Sequence, residues 1–225
     1  TAIIIVSHFS MKISIINSDS NHPINPFLNN FIDELKSHHE LSLVRLQSEL
    51  DNGHILFLIS CVEKISPEVL QNFNKTFVIH ASDLPQGRGW SPHIWQLLSG
   101  AEEVVLSMIE ASPEIDSGDI WLKEKIQIPQ DALWDEINEI LFSSEIELMR
   151  YAVNNYKTLT KSVQAPEVEP TYFRKRKLSD SKIDVNKSIE QQFNLIRACD
   201  PNRYPAYLEL YGSKYKLVLE KMNND

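Results

Sequence analysis

The sequence predicts an α/β fold: a Rossmann-like, doubly wound, mostly parallel sheet followed by a small C-terminal α+β appendage. Two patterns support this fold class. Short apolar runs alternate with segments of helical periodicity through the first two thirds of the chain, which is typical of a parallel sheet with helices on both faces. Several of these runs are nearly continuous in apolar residues, as expected of strands that are covered on both faces. The 225 residues are enough for one large domain and a small appendage.

The elements follow in order along the chain. Apolar runs predict strands at 11–16, 41–44, 54–60, 76–80 and 103–108, with one more after the turn that ends at Ile120. Helical spacing of apolar residues predicts helices at 27–36, 95–98 and 133–156. A further helix is expected to open at Ser66, because a serine cap followed by Pro67 is a helix-start signal.

These elements divide the chain into three parts. Residues 1–10 are interpreted as sequence upstream of a natural start, because Met11 opens the first strand. Residues 11–160 are expected to form the main domain. Residues 161–225 are expected to form a small C-terminal subdomain, with a helix at 189–199 and strands at 207–210 and 215–219.

Charge and cysteine content exclude several classes of protein. Acidic residues number 31 against 22 basic ones, a net charge of −9, which argues against a nucleic-acid partner because binding phosphates requires a basic face. No apolar run approaches the length of a membrane span. Cys61 and Cys199 have no metal-ligand spacing, so no metal site is expected, and we expect both to be buried thiols in a reducing cytoplasm.

The most informative local pattern lies where the fourth predicted strand ends. His80 leaves a buried strand and enters a loop rich in Pro and Gly, so its imidazole is expected to be exposed yet rigidly held, which suits proton transfer near neutral pH. Asp116 lies in a tight turn one structural unit later and is expected to orient or charge-balance the imidazole. The alternative is that the histidine is structural and that the Asp-Ser-Gly segment is only a turn.

These residues resemble the motifs of the 10-formyltetrahydrofolate-dependent formyltransferases. The residues that match are His80, Ser82, Leu84, Pro85, Arg88, Gly89, Pro92, Trp95, Asp116, Gly118, Asp119 and Ile120. A second similarity, to the segment that joins the catalytic and C-terminal parts of this family, covers 170–176 with Asp180 and 183–184. Beyond it, 196–198 with 204–207 resembles the next segment of the sugar formyltransferases. The resemblance implies that 11–160 is the catalytic domain.

The resemblance also implies roles for individual residues. His80 would stabilise the tetrahedral intermediate or shuttle its proton, while Asp116 would help to take the proton from the attacking amine and set the charge of the histidine. The formyl donor would be 10-formyltetrahydrofolate. Its expected contacts are Leu84, Pro85, Gly118 and Asp119.

One position departs from the family pattern. The family has Asn two residues before the histidine, where this chain has Val78, and valine cannot donate a hydrogen bond to the formyl oxygen. Ser82, Asn74, His93 or a backbone N–H are candidate replacement donors. The alternative is an inactive relative that binds folate or a nucleotide without catalysis.

The expected substrate is the amino group of a nucleotide-linked amino sugar, a UDP- or dTDP-4-amino-4,6-dideoxyhexose used for surface glycans. The acidic charge, the short length and the C-terminal similarity favour it over methionyl-tRNA, and another small amine is a third alternative. Asp83 after Ser82 also resembles a subgroup linked to pseudaminic-type glycans. Expected substrate contacts are Trp90, Arg88, Arg174 and Arg176, and the last two belong to a basic cluster, 174–177, suited to the diphosphate of a sugar nucleotide. The alternatives are that this cluster is a solvated charged run and that Trp90 anchors its loop. A homodimer through the C-terminal strands is also expected, since exposed strands need covering.

Overall fold

The structure, a computed structural model, describes residues 9–222 and confirms the predicted fold class. Its main sheet has six strands: β1 (Lys12–Ile16), β2 (Glu40–Val44), β3 (Gly53–Leu58), β4 (Phe73–His80), β6 (Glu103–Glu110) and β7 (Ile120–Gln127). Two pairs of short strands lie outside this sheet: β5 (Arg88–Gly89) with β8 (Tyr172–Phe173), and β9 (Ala206–Leu210) with β10 (Ser213–Leu217). The α-helices are α1 (Asn25–Leu35), α2 (Pro67–Leu70), α3 (Pro92–Leu98), α4 (Trp134–Asn154) and α5 (Phe193–Arg197).

The strand order of the main sheet is β2-β1-β3-β4-β6-β7. Strand β1 pairs in parallel with both β2 and β3, and β3 pairs in parallel with β4. The chain therefore proceeds outward in opposite directions on the two sides of β1, which is the doubly wound arrangement in which ligands gather beyond the carboxyl ends of the strands. Strand β7 runs antiparallel to β6, since Glu110 N–H bonds to the Asp119 carbonyl at one end and Ile128 N–H to the Glu102 carbonyl at the other.

The chain divides into two compact units whose segments alternate in the sequence. The first takes the residues up to Ile79 with Met108–Leu122 and Glu145–Val163, and the second takes His80–Ser107, Lys123–Ser144 and the residues from Gln164 onward. The C-terminal segment thus forms a unit with two stretches from the middle of the chain. The domain bounds predicted from the sequence stay a prediction.

The first unit has a core of apolar strand residues. Phe57 on β3 stacks on Phe77 of β4 with ring centroids 5.2 Å apart, and Phe31 of α1 meets Phe57 edge-on. These three rings are fully or almost fully buried, because near-continuous apolar strands are covered on both faces. Of the segment 1–10, residues 1–8 lie outside the described residues, while the Phe9 ring lies 5.3 Å from the ring of His54.

The second unit contains a smaller apolar cluster formed by Ile183, Ile196, Cys199 and Ala206. Here the helix predicted at 189–199 is shorter, because a 3-10 turn at Glu190–Gln192 precedes α5. The helix expected to open at Ser66 is a single turn, α2, although the Ser66 hydroxyl caps it by accepting from the N–H of Val69. Strands β5 and β8 were not predicted, since two-residue strands leave no periodic pattern.

The structure corrects one expectation about the cysteines. Both are free thiols, but only Cys199 is buried, and Cys61 is partly exposed. Within residues 9–222, no helix is long and apolar enough to cross a membrane. The β9–β10 hairpin leaves Tyr211 almost fully exposed and Tyr215 about half exposed, and the homodimer expected through these strands stays a prediction.

Candidate functional site

His80 is the last residue of β4, and its side chain is 7% exposed, so it is more buried than the sequence led us to expect. Its Nε2 lies 2.8 Å from the carbonyl oxygen of Gly87. Because a carbonyl oxygen can only accept a hydrogen bond, Nε2 carries a proton. In the neutral ring, Nδ1 is then the nitrogen without a proton. The structure thus assigns acid–base chemistry at His80 to Nδ1.

The loop that follows His80 is fixed through its main chain. The carbonyl of Ser82 accepts from the buried Ser107 hydroxyl at 2.7 Å and from the N–H of Leu84 at 3.0 Å. The carbonyl of Leu84 accepts from Lys123 Nζ at 2.7 Å, and the same ammonium group pairs with the Asp83 carboxylate. Asp83 therefore anchors this loop to β7. It is the residue whose position after Ser82 resembles the pattern of the pseudaminic-type subgroup.

A segment far along the chain also holds this loop, an arrangement that was missed from the sequence. Strand β5 pairs with β8, so that Arg88 N–H donates to the Thr171 carbonyl and Trp90 N–H to the Phe173 carbonyl. Gly89 has φ +99°, and a Cβ placed there would lie 2.3 Å from the Phe173 carbonyl oxygen. Only glycine permits this approach. The signal that marks the segment is 170–173, a stretch interpreted from the sequence only as part of a connection.

The candidate replacement donors for the missing Asn have different surroundings. Val78 is partly exposed and lies opposite Leu58 of β3. Asn74 is exposed and is the second residue of β4, of which His80 is the last. Six residues of extended strand span about 20 Å, and the role of Asn74 as the replacement donor stays a prediction. The Ser82 hydroxyl is buried and has no hydrogen-bond partner among the described residues, whereas His93 is partly exposed on α3.

Asp116 lies in the turn between β6 and β7, within the first unit. It is partly exposed and has φ +52°, a left-handed conformation that Asp tolerates better than most residues. The turn is closed by Gly118, where an added Cβ would lie 1.8 Å from the carbonyl oxygen of Glu110. Glu110 N–H also donates to the Asp119 carbonyl at 2.8 Å. Close packing of Gly118 on β6 thus fixes the turn that holds Asp116.

Glu110 anchors the base of this turn and was not singled out in the sequence. Its carboxylate accepts from the Thr76 hydroxyl at 2.8 Å and from Trp121 Nε1 at 2.9 Å. Lys161 Nζ lies 3.7 Å from the same carboxylate and 3.4 Å from that of Asp119. Because its two hydrogen-bond donors lie on β4 and β7, the Glu110 carboxylate links these strands to β6.

The expected folate contacts are mostly enclosed in these loops. Leu84, Pro85 and Gly118 are buried, and Leu84 joins Pro85 through a cis peptide bond. Asp119 is partly exposed beside Lys161. The role of these four residues in folate binding stays a prediction.

The arginines expected to contact substrate make contacts within the second unit. Arg88 is 7% exposed and donates to Gln164 Oε1 at 2.7 Å and to the Tyr172 hydroxyl at 3.2 Å. Both terminal nitrogens of Arg174 bind the Asp180 carboxylate at 2.7 Å, and this pairing holds the pKa of Asp180 well below its usual range. These contacts give both arginines structural roles, and their binding of substrate stays a prediction.

Arg176 and Trp90 complete this set. Arg176 Nη2 donates to the Ser181 hydroxyl at 3.0 Å, within the C-terminal segment. Trp90 is 41% exposed, and Lys175 Nζ lies 4.7 Å from the centroid of its ring. Among the four expected substrate contacts, Trp90 and Arg174 are exposed, Arg176 is partly exposed and Arg88 is buried. His80 belongs to the second unit and Asp116 to the first, so their joint action stays a prediction.

The comparisons with known proteins agree with the motif. The sequence model of a family described as formyl transferase matches residues 37–153, about half of the chain. Methionyl-tRNA formyltransferase of Mycoplasma capricolum subsp. capricolum is 26% identical over 175 residues, 75% of this chain and 54% of the relative. The chain spans about half the length of the curated relatives it matches.

Solved structures of similar fold include the three that follow. Methionyl-tRNA formyltransferase from Clostridium thermocellum has a TM-score of 0.79 and 24% identity, covering 95% of this chain and 94% of that one. HypX from Aquifex aeolicus in complex with tetrahydrofolic acid has a TM-score of 0.78 and 21% identity, covering 95% and 38%. A sugar N-formyltransferase from Shewanella sp FDAARGOS_354 has a TM-score of 0.69 and 17% identity, covering 96% and 99%. By the match over residues 37–153, the chain belongs to the formyl transferase family.

Proposed function

We propose that this protein is an N-formyltransferase that moves a formyl group from 10-formyltetrahydrofolate to the amino group of a nucleotide-linked amino sugar. The observation that carries the proposal is His80, held at the end of β4 with Nε2 bonded to the Gly87 carbonyl. Together with membership of the formyl transferase family, this arrangement supports acyl transfer assisted by a histidine whose Nδ1 is set for proton transfer.

The chemistry needs one group from the formyl donor and two from the chain. The donor, when bound, supplies an electrophilic formyl carbon. An amine attacks such a carbon only when it is neutral, so a base must take its proton, and the proposal gives this role to Asp116. Negative charge developing on the formyl oxygen requires a hydrogen-bond donor, and the proposal gives this role to His80 in its protonated state, which donates from Nδ1.

The surroundings of His80 fit a polar acyl donor. The Ser82 hydroxyl is buried without a hydrogen-bond partner among the described residues, so a ligand group reaching this loop would satisfy it. The hydroxyl supports Ser82 as the group that replaces the Asn found at the position of Val78. Val78→Asn tests this. Turnover that rises from zero would favour an inactive relative, whereas a loss or no change would mean that another donor already acts.

Net charge and an exposed aromatic residue favour a small, nucleotide-linked substrate. The net charge of −9 opposes binding to a large RNA. Trp90 offers an exposed ring beside the Lys175 ammonium group, a pairing suited to a base near a phosphate. Similarity to a sugar N-formyltransferase over nearly the full length of both chains is consistent with this class. Because the Asp83 motif resembles the pseudaminic-type subgroup, a UDP-linked 4-amino-4,6-dideoxy sugar is the first candidate, with a place in surface glycan biosynthesis.

Methionyl-tRNA is the second candidate substrate. Curated relatives at 26% to 27% identity carry that activity in their names. A tRNA must be bound through its phosphates, and the excess of acidic residues makes this unfavourable. The two candidates differ in size and charge, so one assay separates them.

The test is mass spectrometry after incubation with 10-formyltetrahydrofolate and a panel of UDP- and dTDP-linked amino sugars, with methionyl-tRNA as a separate arm. We expect a sugar product heavier by one formyl group, absent with His80→Ala and present with His38→Ala, a matched change at an exposed histidine. Formylation of methionyl-tRNA alone would overturn the sugar proposal. If nothing is formylated but folate or a nucleotide raises the thermal unfolding temperature, the protein is a binding relative.

A further inference from the structure

The loop after His80 and the segment that precedes Arg174 meet in a set of hydrogen bonds. We name this set the clasp, formed by 86–90 and 169–173. Two of its bonds join main chain to main chain, from Arg88 and Trp90 to the carbonyls of Thr171 and Phe173. Gln86 Nε2 adds a bond to the Glu169 carbonyl. All of these residues lie in the second unit.

Thr171 occupies the centre of the clasp through its side chain. Its hydroxyl oxygen accepts from the N–H of Gly87 at 2.8 Å. The hydroxyl proton is directed elsewhere, because Thr171 Oγ1 donates to Gln86 Oε1 at 3.1 Å. With its proton committed to Gln86, the oxygen presents a lone pair to Gly87. The side chain thus fixes the orientation of the peptide group that precedes Gly87.

Gly87 transmits this constraint to His80. Its carbonyl accepts from His80 Nε2 at 2.8 Å. Gly87 has φ +74°, and a Cβ there would lie 2.9 Å from both Ser82 Cβ and Phe173 Cε2. The residue is therefore confined on both sides, and its carbonyl has little freedom to turn away from the imidazole.

We propose that Thr171 is a positioning residue for His80. Its hydroxyl holds the peptide group before Gly87, and its main-chain carbonyl holds the N–H of Arg88 in the next peptide group. The carbonyl of that second group is the one that keeps the imidazole in the Nε2–H tautomer. Residues 169–173 lie beyond the part of the chain that the family model matches, 37–153, so the histidine of the catalytic motif is oriented by the C-terminal segment. The contribution of Thr171 to turnover rests on the proposed function. The tautomer of His80 does not, and it is measured without substrate.

The experiment uses the full chain labelled with ¹⁵N-histidine and long-range ¹H–¹⁵N correlation spectra, recorded at a pH where His80 is neutral. Signals that are absent from His80→Gln assign the ring. We expect protonated Nε2 and unprotonated Nδ1 in the wild type. Thr171→Val keeps the shape of the side chain but removes the acceptor, and should give a mixture of tautomers. Thr171→Ser keeps the hydroxyl and should restore the wild-type spectrum.

Thr158→Val is the matched control, because the exposed Thr158 hydroxyl also bonds to a main-chain group but lies in the first unit. It should leave His80 unchanged. Folding of Thr171→Val should be preserved, since the two main-chain bonds of the clasp do not use the side chain. A wild-type ring protonated at Nδ1, or a Thr171→Val spectrum identical to that of the wild type, would overturn the proposal.

Activity then gives a separate readout. If the proposed function is correct, Thr171→Val should lower kcat about five- to tenfold with KM within about twofold, as expected for the loss of one hydrogen bond that orients the reacting group. Thr171→Ser should recover most of kcat. If the spectra follow the expected pattern while even the wild type transfers no formyl group, the positioning of His80 is supported and only the proposed function fails.

Discussion

Replacing Gly118 by alanine should unfold the turn that holds Asp116. An added Cβ would lie 1.8 Å from the Glu110 carbonyl oxygen and 2.8 Å from its carbonyl carbon. Carbon–oxygen contacts in proteins lie at about 3.3–3.6 Å, so the backbone must separate by about 1.5 Å. That movement would break the 2.8 Å bond from Glu110 N–H to the Asp119 carbonyl.

The cost combines overpacking with the broken bond. Overpacking against backbone costs about 1–3 kcal/mol, and an internal hydrogen bond contributes about 1 kcal/mol. We expect Gly118→Ala to lower the free energy of unfolding by about 2–4 kcal/mol. Gly212→Ala is the matched control, because Gly212 has φ +79° but no atom within 4 Å of an added Cβ. Its cost should be the strain of a left-handed residue alone, about 1 kcal/mol.

Urea denaturation followed by fluorescence, with midpoint and slope fitted together, measures both variants. A fall in midpoint for Gly118→Ala no larger than that for Gly212→Ala would refute the reasoning, since it would show that β6 yields to the added methyl group without cost. Activity adds a second check under the proposed function. Displacement of Asp116 should lower kcat in Gly118→Ala and leave it unchanged in Gly212→Ala.

Three further predictions concern single side chains. Burial raises the pKa of Glu145 to about 8 from an ordinary value of 4.5, so its contribution to stability is full below about pH 4.5 and is lost as pH rises towards 8. Urea denaturation at several pH values should show that the free energy of unfolding of the wild type falls relative to that of Glu145→Gln, by at most about 1.4 kcal/mol per pH unit. If the free energies of the two proteins change in parallel with pH, this prediction is wrong. Ser107→Ala leaves the buried Ser82 carbonyl with only its bond from Leu84. It should lower the free energy of unfolding by about 1–2 kcal/mol in urea denaturation. The control Ser143→Ala on α4 should lower it by less than about 0.5 kcal/mol. Thr76→Val removes a hydrogen-bond donor from the Glu110 carboxylate and should lower the free energy of unfolding by about 1–3 kcal/mol. An unchanged free energy of unfolding would mean that Trp121 and Lys161 are enough to stabilise this carboxylate.

Local patterns in the sequence determined the order of the main elements. Near-continuous apolar runs marked the strands, and helical spacing marked α1 and α4, because these patterns depend only on which faces of an element are covered. The net charge of −9 predicts that a nucleic-acid partner is unfavourable. The order and spacing of the motif at His80 and Asp116 indicated the formyltransferase family. The match of that family's sequence model to residues 37–153 confirms it. Single glycines such as Gly118 were recognisable as turn residues, since turns have local residue preferences.

Tertiary structure alone decided which of these residues touch. The contact between Gly87 and Thr171 joins positions 84 residues apart, and two-residue strands such as β5 and β8 carry no periodic signal. The same holds for Glu110, whose bonds to Thr76 and Trp121 depend on strand register. Arg174, expected to contact substrate, also binds Asp180 six residues away. Residue types show what a side chain is able to bind, whereas its partner is set by the register and packing of distant segments, and it is this packing that fixes the tautomer of His80.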